Sequence, residues 1–316
     1  MIKPDARRSG LLWVALGAAM WGTDALFRSG LVERLTSLQI VWLEHALISL
    51  MMLPWIIRAF RKLSGLSAGG WLLLLAVSWG SSALATWAFT EAFRYGHPSA
   101  VVLLQKLQPL FAVLAAKWLL RERWSSTYYV VLPGALLGAY VLSFGFSAPF
   151  TAAHGGQWAG SLLAIAAALL WGCGTTFGRS LLQRFSFAEL TGLRVFCALP
   201  MLTLLQTLQG GLTPALGELT FPLGLDLFLL SLVPGLAGLL LYYYGLQRTQ
   251  AAYAAIAELS FPAAALLINR YFLGQSVSMA QIAGVLLIWL MVAYLSRQKE
   301  NPLPALAARN HRAQML

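Results

Sequence analysis

Long apolar stretches alternate along this chain with short, mostly basic connections, and ten of those stretches approach the length that a bilayer requires. A helix that crosses the hydrocarbon core needs about 20 largely apolar residues. Segments 11–29, 37–57, 70–92, 98–120, 126–146, 156–178, 187–207, 225–247, 251–273 and 278–296 fit. The pattern is also written twice. Laying Trp171-Gly172 over Trp21-Gly22 sets an offset of 150 residues, which matches Phe177 with Phe27, Arg194 with Glu44 and Gly284 with Gly134. An offset of 153 residues fits the middle of each half and brings Pro262 over Pro109 and Ser278 over Ser125. The sequence therefore predicts an all-α integral membrane protein of ten transmembrane helices in two five-helix repeats, 1–150 and 151–300, with a cytoplasmic tail at 301–316. Five is odd, so the second repeat must be inverted relative to the first. Inverted repeats are typical of secondary transporters, whose sites lie near the midplane between the halves.

Composition agrees: 59% of the residues are hydrophobic and 10% charged, against roughly a quarter charged in soluble domains. Mean hydropathy is +0.71. The net charge of +11 invites a nucleic-acid partner, but its placement argues for a membrane instead. Lys3, Arg7, Arg8, Arg58, Arg61, Lys62, Arg121, Arg123, Arg179, Arg184, Arg248, Arg297, Lys299, Arg309 and Arg312 gather on one side, while Arg34 and Arg94 hold the other. This positive-inside bias puts both termini in the cytoplasm of a multi-pass protein of the cell (inner) membrane. The excess charge then faces anionic lipid. Cys173 and Cys197 sit in separate spans and read as packing residues. His45 lies in a span, whereas His97, His154 and His311 fall in loops or the tail, so no metal or cofactor is expected. Residues 65–69 fit a nucleophile-elbow pattern but lack the preceding strand that it requires.

Ionisable groups inside spans are costly and mark pathways by default. Asp24, Glu44, His45, Glu91 and Lys106 fall in the outer half of the membrane on this topology, and Arg194 and Glu258 in the inner half. Simpler roles exist for each: Asp24 paired with Arg28 one turn on, Glu44 with Lys106, Glu258 with Arg194, and Glu91 reaching the surface beside Arg94. Pro109 and Pro262 lie near mid-span, where a proline frees the carbonyl four residues back and bends the helix. The freed groups are those of Gln105 and Glu258, and membrane depth tolerates such backbone only against protein or a water-filled cavity. Trp21 and Trp171 are mates at mid-span, and Trp87 and the Tyr242-Tyr243-Tyr244 run add aromatic surface. The pairs Gly134/Gly138, Gly156/Gly160 and Gly174/Gly178 fit close helix packing.

With these residues in view, the chain resembles the EamA-like branch of the drug/metabolite transporter superfamily. The likeness rests on Trp-Gly in the first helix of each repeat and on Gln108-Pro109-Leu110-Phe111…Leu120-Arg121-Glu122-Arg123-Trp124 with Gly134 beyond. Phe261-Pro262…Leu273-Gly274-Gln275 with Gly284 echoes that segment. It departs from the family at Gln275, where an acidic residue is usual, and at Glu44, where a basic one is. The resemblance implies transport of a small metabolite by alternating access. The candidate substrate-binding residues are Trp21, Asp24, Glu44, Trp87, Glu91, Gln105, Lys106, Trp171, Arg194, Tyr243 and Glu258. Combined with them, it points to proton-coupled export of an amino acid or related amine. Glu258 and Glu91 would meet the ammonium or carry protons, Lys106 or Arg194 a carboxylate, and Trp21, Trp171 and Tyr243 the side chain. An organic-cation carrier is the alternative, and an intramembrane enzyme or scramblase are further readings. One chain supplies both walls of the cavity, so a monomer suffices and a dimer is compatible.

Overall fold

The computed structural model describes residues 4–95, 101, 104–120, 126–145, 158–209, 220–272, 274 and 277–297. The expected loops around Arg121–Trp124 and Gln275, Gly156, the loop and tail histidines, the residues beyond 297 and small parts of four expected spans lie outside them. Among the described residues every regular element is helical. In chain order these are α1 (Pro4–Trp21), α2 (Asp24–Leu31), α3 (Ser37–Met51), α4 (Leu53–Leu63), α5 (Ala68–Leu75) and α6 (Ala85–Tyr95). They continue with α7 (Gln108–Leu119), α8 (Tyr128–Phe144), α9 (Trp158–Leu181), α10 (Phe187–Leu208), α11 (Phe221–Leu230) and α12 (Gly238–Leu246). The last three are α13 (Ala251–Ala257), α14 (Ser260–Phe272) and α15 (Met279–Arg297).

Among the described residues six stretches are long and apolar enough to cross a membrane: Gly10–Arg28, Ala68–Ala92, Trp158–Leu181, Phe187–Leu208, Phe221–Leu246 and Ala251–Phe272. Bulky apolar side chains such as Trp118, Trp158, Phe221 and Phe272 stand exposed on the outside of the bundle. A surface of that kind needs lipid or another apolar partner. The expected span 37–57 is bent sharply: α3 ends at Met51, and α4 leaves at 83°. Pro54 sits in the first turn of α4, a position that proline tolerates, whereas it cannot continue a helix from behind.

The other interruptions fall in the middle of the bundle. Gly22 and Thr23 separate α1 from α2, Lys106 and Leu107 precede α7, and Glu258 and Leu259 separate α13 from α14. Pro109 lies in the first turn of α7, and Pro262 is the third residue of α14. The expected bends at these prolines are therefore breaks. The Glu258 carbonyl does not stay free: it accepts from the Phe261 amide at 3.0 Å. Two further spans carry wide π-helical turns, Ala76–Leu84 between α5 and α6 and Ser231–Ala237 between α11 and α12. Such turns are rare and gather at functional sites.

Glycine sets how closely these helices meet. A Cβ on Gly22 would lie 2.7 Å from the Ala265 amide nitrogen in α14, and one on Gly172 would lie 2.8 Å from the Ala112 amide nitrogen in α7. The two Trp-Gly pairs thus do the same job in two places, seating one helix against a proline-bearing one. Elsewhere, a Cβ on Gly17 would lie 2.6 Å from the Tyr242 amide nitrogen, and Gly138 and Gly284 meet where α8 crosses α15. Such close approach raises the dispersion attraction that holds helices together in lipid. Hydrogen bonds between helices add to it: Ser81 Oγ donates to the Leu170 carbonyl at 2.7 Å, and Thr176 Oγ1 to that of Ala112 at 3.1 Å.

Candidate functional site

The breaks and π turns converge on one cavity of about 540 Å³. Its walls bring together eight of the sequence candidates: Trp21, Asp24, Glu44, Gln105, Lys106, Trp171, Arg194 and Glu258. Groups expected in opposite halves of the membrane therefore face one space. Its volume lies within the roughly 300–1,000 Å³ of small-molecule sites, which combine apolar walls with a few placed polar groups.

Glu258, in the break before α14, is held by neutral donors. Gln108 Nε2 donates to its Oε2 at 2.6 Å, while Tyr242 OH and Thr175 Oγ1 donate to Oε1 at 2.7 and 2.9 Å. Gln105 Nε2 in turn donates to Gln108 Oε1 at 3.2 Å. Arg194 does not pair with Glu258; its Nε donates to Ser82 Oγ at 2.7 Å and its Nη1 to Tyr243 OH at 2.9 Å. Its guanidinium carbon also lies 5.8 Å from the Tyr243 ring centroid. A second cluster sits at the start of α2. The Arg28 guanidinium makes two bonds to Asp24, at 2.6 and 2.7 Å, and reaches Glu44 Oε2 at 3.4 Å. The Asp24–Arg28 pairing read from the sequence is present, whereas the Glu44–Lys106 pairing is not. Among the described residues no carboxylate lies within ion-pairing distance of Lys106.

Two aromatic pairs complete the lining. Trp21 and Tyr242 lie 5.3 Å apart between centroids, as do Phe89 and Trp171. Of the tyrosine run, Tyr242 lines the cavity, while Tyr243 is fully buried behind it and holds Arg194. Neighbouring helical residues point about 100° apart, and nothing in a run of three tyrosines says which one faces inward. Trp87 and Glu91 also stand outside this cavity. They line a smaller pocket of about 270 Å³ with Thr90, Leu202 and Gln209, because Thr86 and Phe89 take the cavity-facing positions of α6.

The sequence reading noted His45 and Tyr242 without choosing them for the site, and it missed Arg28, Ser82, Gln108 and Thr175 as lining residues. A signal existed for Gln108, which precedes Pro109 as Phe261 precedes Pro262. Ser82 and Thr175 carried none, since small hydroxyl side chains in spans mostly bond their own backbone.

Comparison with known proteins fits this geometry. The model of the EamA-like transporter family matches residues 8–144 and again 158–297. The riboflavin transporter ImpX of Fusobacterium nucleatum subsp. nucleatum is 30% identical over 300 residues, covering 93% of this chain and 99% of that protein. A solved crystal structure, 18% identical, superposes with a TM-score of 0.72 over 92% of this chain and 100% of its own, which shows the shared fold. With an all-helical bundle, broken helices around one polar cavity and a family match in both halves, this chain belongs to the EamA-like transporter family.

Proposed function

We propose that this protein is a secondary carrier that moves riboflavin, or a chemically close flat heteroaromatic metabolite, across the cell (inner) membrane by alternating access. The observation that carries this reading is the state of the charges in the cavity that the two aromatic pairs line. Asp24 and Glu44 are engaged by Arg28, and Glu258 by three neutral donors. Each of these carboxylates already accepts from protein donors, while among the described residues no carboxylate pairs with Lys106, which stands ready as a donor. A planar ring system with carbonyl acceptors suits such walls: aromatic faces stack on it, and Lys106 and Arg194 donate to its oxygens. The identity shared with a riboflavin transporter over nearly the whole chain supports the same class.

In this reading the two family-matched halves are inverted five-helix repeats, making ten spans with cytoplasmic termini, and one chain is the working unit. Gly22 against Ala265 and Gly172 against Ala112 are equivalent contacts under the repeat offsets, which supports that arrangement. Glu258 carries the coupling proton. The second reading, proton-coupled export of an amino acid or related amine, keeps Lys106 as the carboxylate partner and brings the ammonium to a carboxylate that protein donors already engage.

Purified protein in liposomes separates the two. Saturable riboflavin movement that responds to an imposed pH gradient, is competed by flavins and ignores amino acids is the expected result. Its loss of gradient response in Glu258→Gln supports the coupling role. Amino-acid transport without flavin transport overturns the reading, and the two vesicle orientations give the direction.

A further inference from the structure

The smaller pocket adjoins the central cavity, and Val41 and Thr86 belong to the walls of both. It lies where three helix ends meet: Thr36 and Ser37 open α3, Glu91 lies in the last turns of α6, and Gln209 follows α10. A molecule leaving the cavity along α3 therefore passes through it. We infer that this pocket is a second binding station for the transported molecule, and that it grips a hydroxylated chain.

The hydrogen-bonding inventory selects that chemistry. Trp87 Nε1 is buried and has no hydrogen-bond partner among the described residues. The indoles of Trp42 and Trp79 are both satisfied, by Thr203 Oγ1 and by the Cys197 carbonyl, as buried indoles usually are. Thr86 and Thr90 give their protons to the carbonyls of Ser82 and Thr86 at 3.0 and 2.9 Å. Only oxygen lone pairs of these hydroxyls remain for a ligand. Glu91 is a carboxylate in the same wall and accepts from Gln209 Nε2 at 3.4 Å. The pocket thus offers both donors, the unpartnered Trp87 N–H among them, and acceptors. An ammonium only donates and would leave the Trp87 N–H unpaired, and a carboxylate would meet Glu91. An alcohol both donates and accepts, so a chain of hydroxyls answers every group. Riboflavin carries such a chain beside its rings, so the station deepens the riboflavin reading and rests on it.

Riboflavin binding to the full-length protein in nanodiscs tests this, with lumichrome, a related three-ring compound without the hydroxylated chain, as control. Two classes of riboflavin site are expected, and one for lumichrome. Trp87→Phe, which keeps the ring and removes the N–H, should weaken the second riboflavin class roughly tenfold and leave lumichrome binding unchanged. Glu91→Gln should weaken the same class. A single riboflavin class, or two classes that neither variant alters, overturns the station while leaving the proposed function standing. Failure to bind riboflavin at any site overturns both.

Discussion

The two proline-bearing breaks use one backbone device for different ends. Before α14 the break presents Glu258, which three protein donors already occupy. Before α7 it presents Lys106, which no carboxylate among the described residues approaches. The first arrangement fixes a charge in place and ties α7, α9 and α12 to it. The second leaves a charge free for something that arrives. A buried polar group is costly unless paired, so the free member of the two is the better candidate for contact with cargo. The paired member holds the walls at their spacing.

The strongest test of this contrast is Glu258→Leu. It leaves Gln108 and Thr175 without their acceptor, while Tyr242 keeps Thr175 Oγ1 at 3.0 Å, and each buried group left unpaired costs about 1–3 kcal/mol. A large drop in thermal unfolding temperature in detergent is expected. An unchanged temperature would break the comparison, because it would mean that the donors are not held by this carboxylate. Lys106→Met should do the reverse: the folded protein keeps or gains stability, while riboflavin affinity falls roughly ten- to hundredfold, the worth of a hydrogen bond from a charged donor. Equilibrium binding beside the same unfolding assay reads both.

A pair of smaller changes asks whether the breaks are held alike. Gly22→Ala presses on α14 and Gly172→Ala on α7, at nearly equal distances. Each should cost about 1–3 kcal/mol by overpacking, and unequal losses in unfolding temperature would show that one break yields more easily. The last change is Tyr243→Phe, which removes one of the hydrogen bonds donated by the Arg194 guanidinium, worth about 1.5–3 kcal/mol for a charged donor. Transport should persist with a slight loss of affinity, because Ser82 still holds the guanidinium.

Much of this molecule was legible along the chain because bilayers impose strong, local rules. The apolar stretches, the doubled pattern and the matched prolines come from length, hydropathy and residue type, and each can be read without knowing what touches what. The Trp-Gly pairs were visible as a motif, but their purpose appeared only when Gly22 met Ala265 and Gly172 met Ala112. The pairing of charges was the least legible feature. Sequence proximity identified Asp24 with Arg28, one helical turn apart, and shared membrane depth offered Glu44 with Lys106 and Arg194 with Glu258 as simpler roles, whereas Glu44 shares Arg28 and Arg194 turns to Ser82 and Tyr243. Which side chain faces the cavity depends on helix rotation and on where a helix breaks. A break displaces every later residue from the expected face, as Pro54 shows by turning α4 through 83°. The sequence alone determined that this protein is a bundle of membrane helices with polar groups and prolines at their centres. Tertiary structure decided which charges were already satisfied and which were left open, since that depends on distances of a few ångströms between segments far apart in the chain.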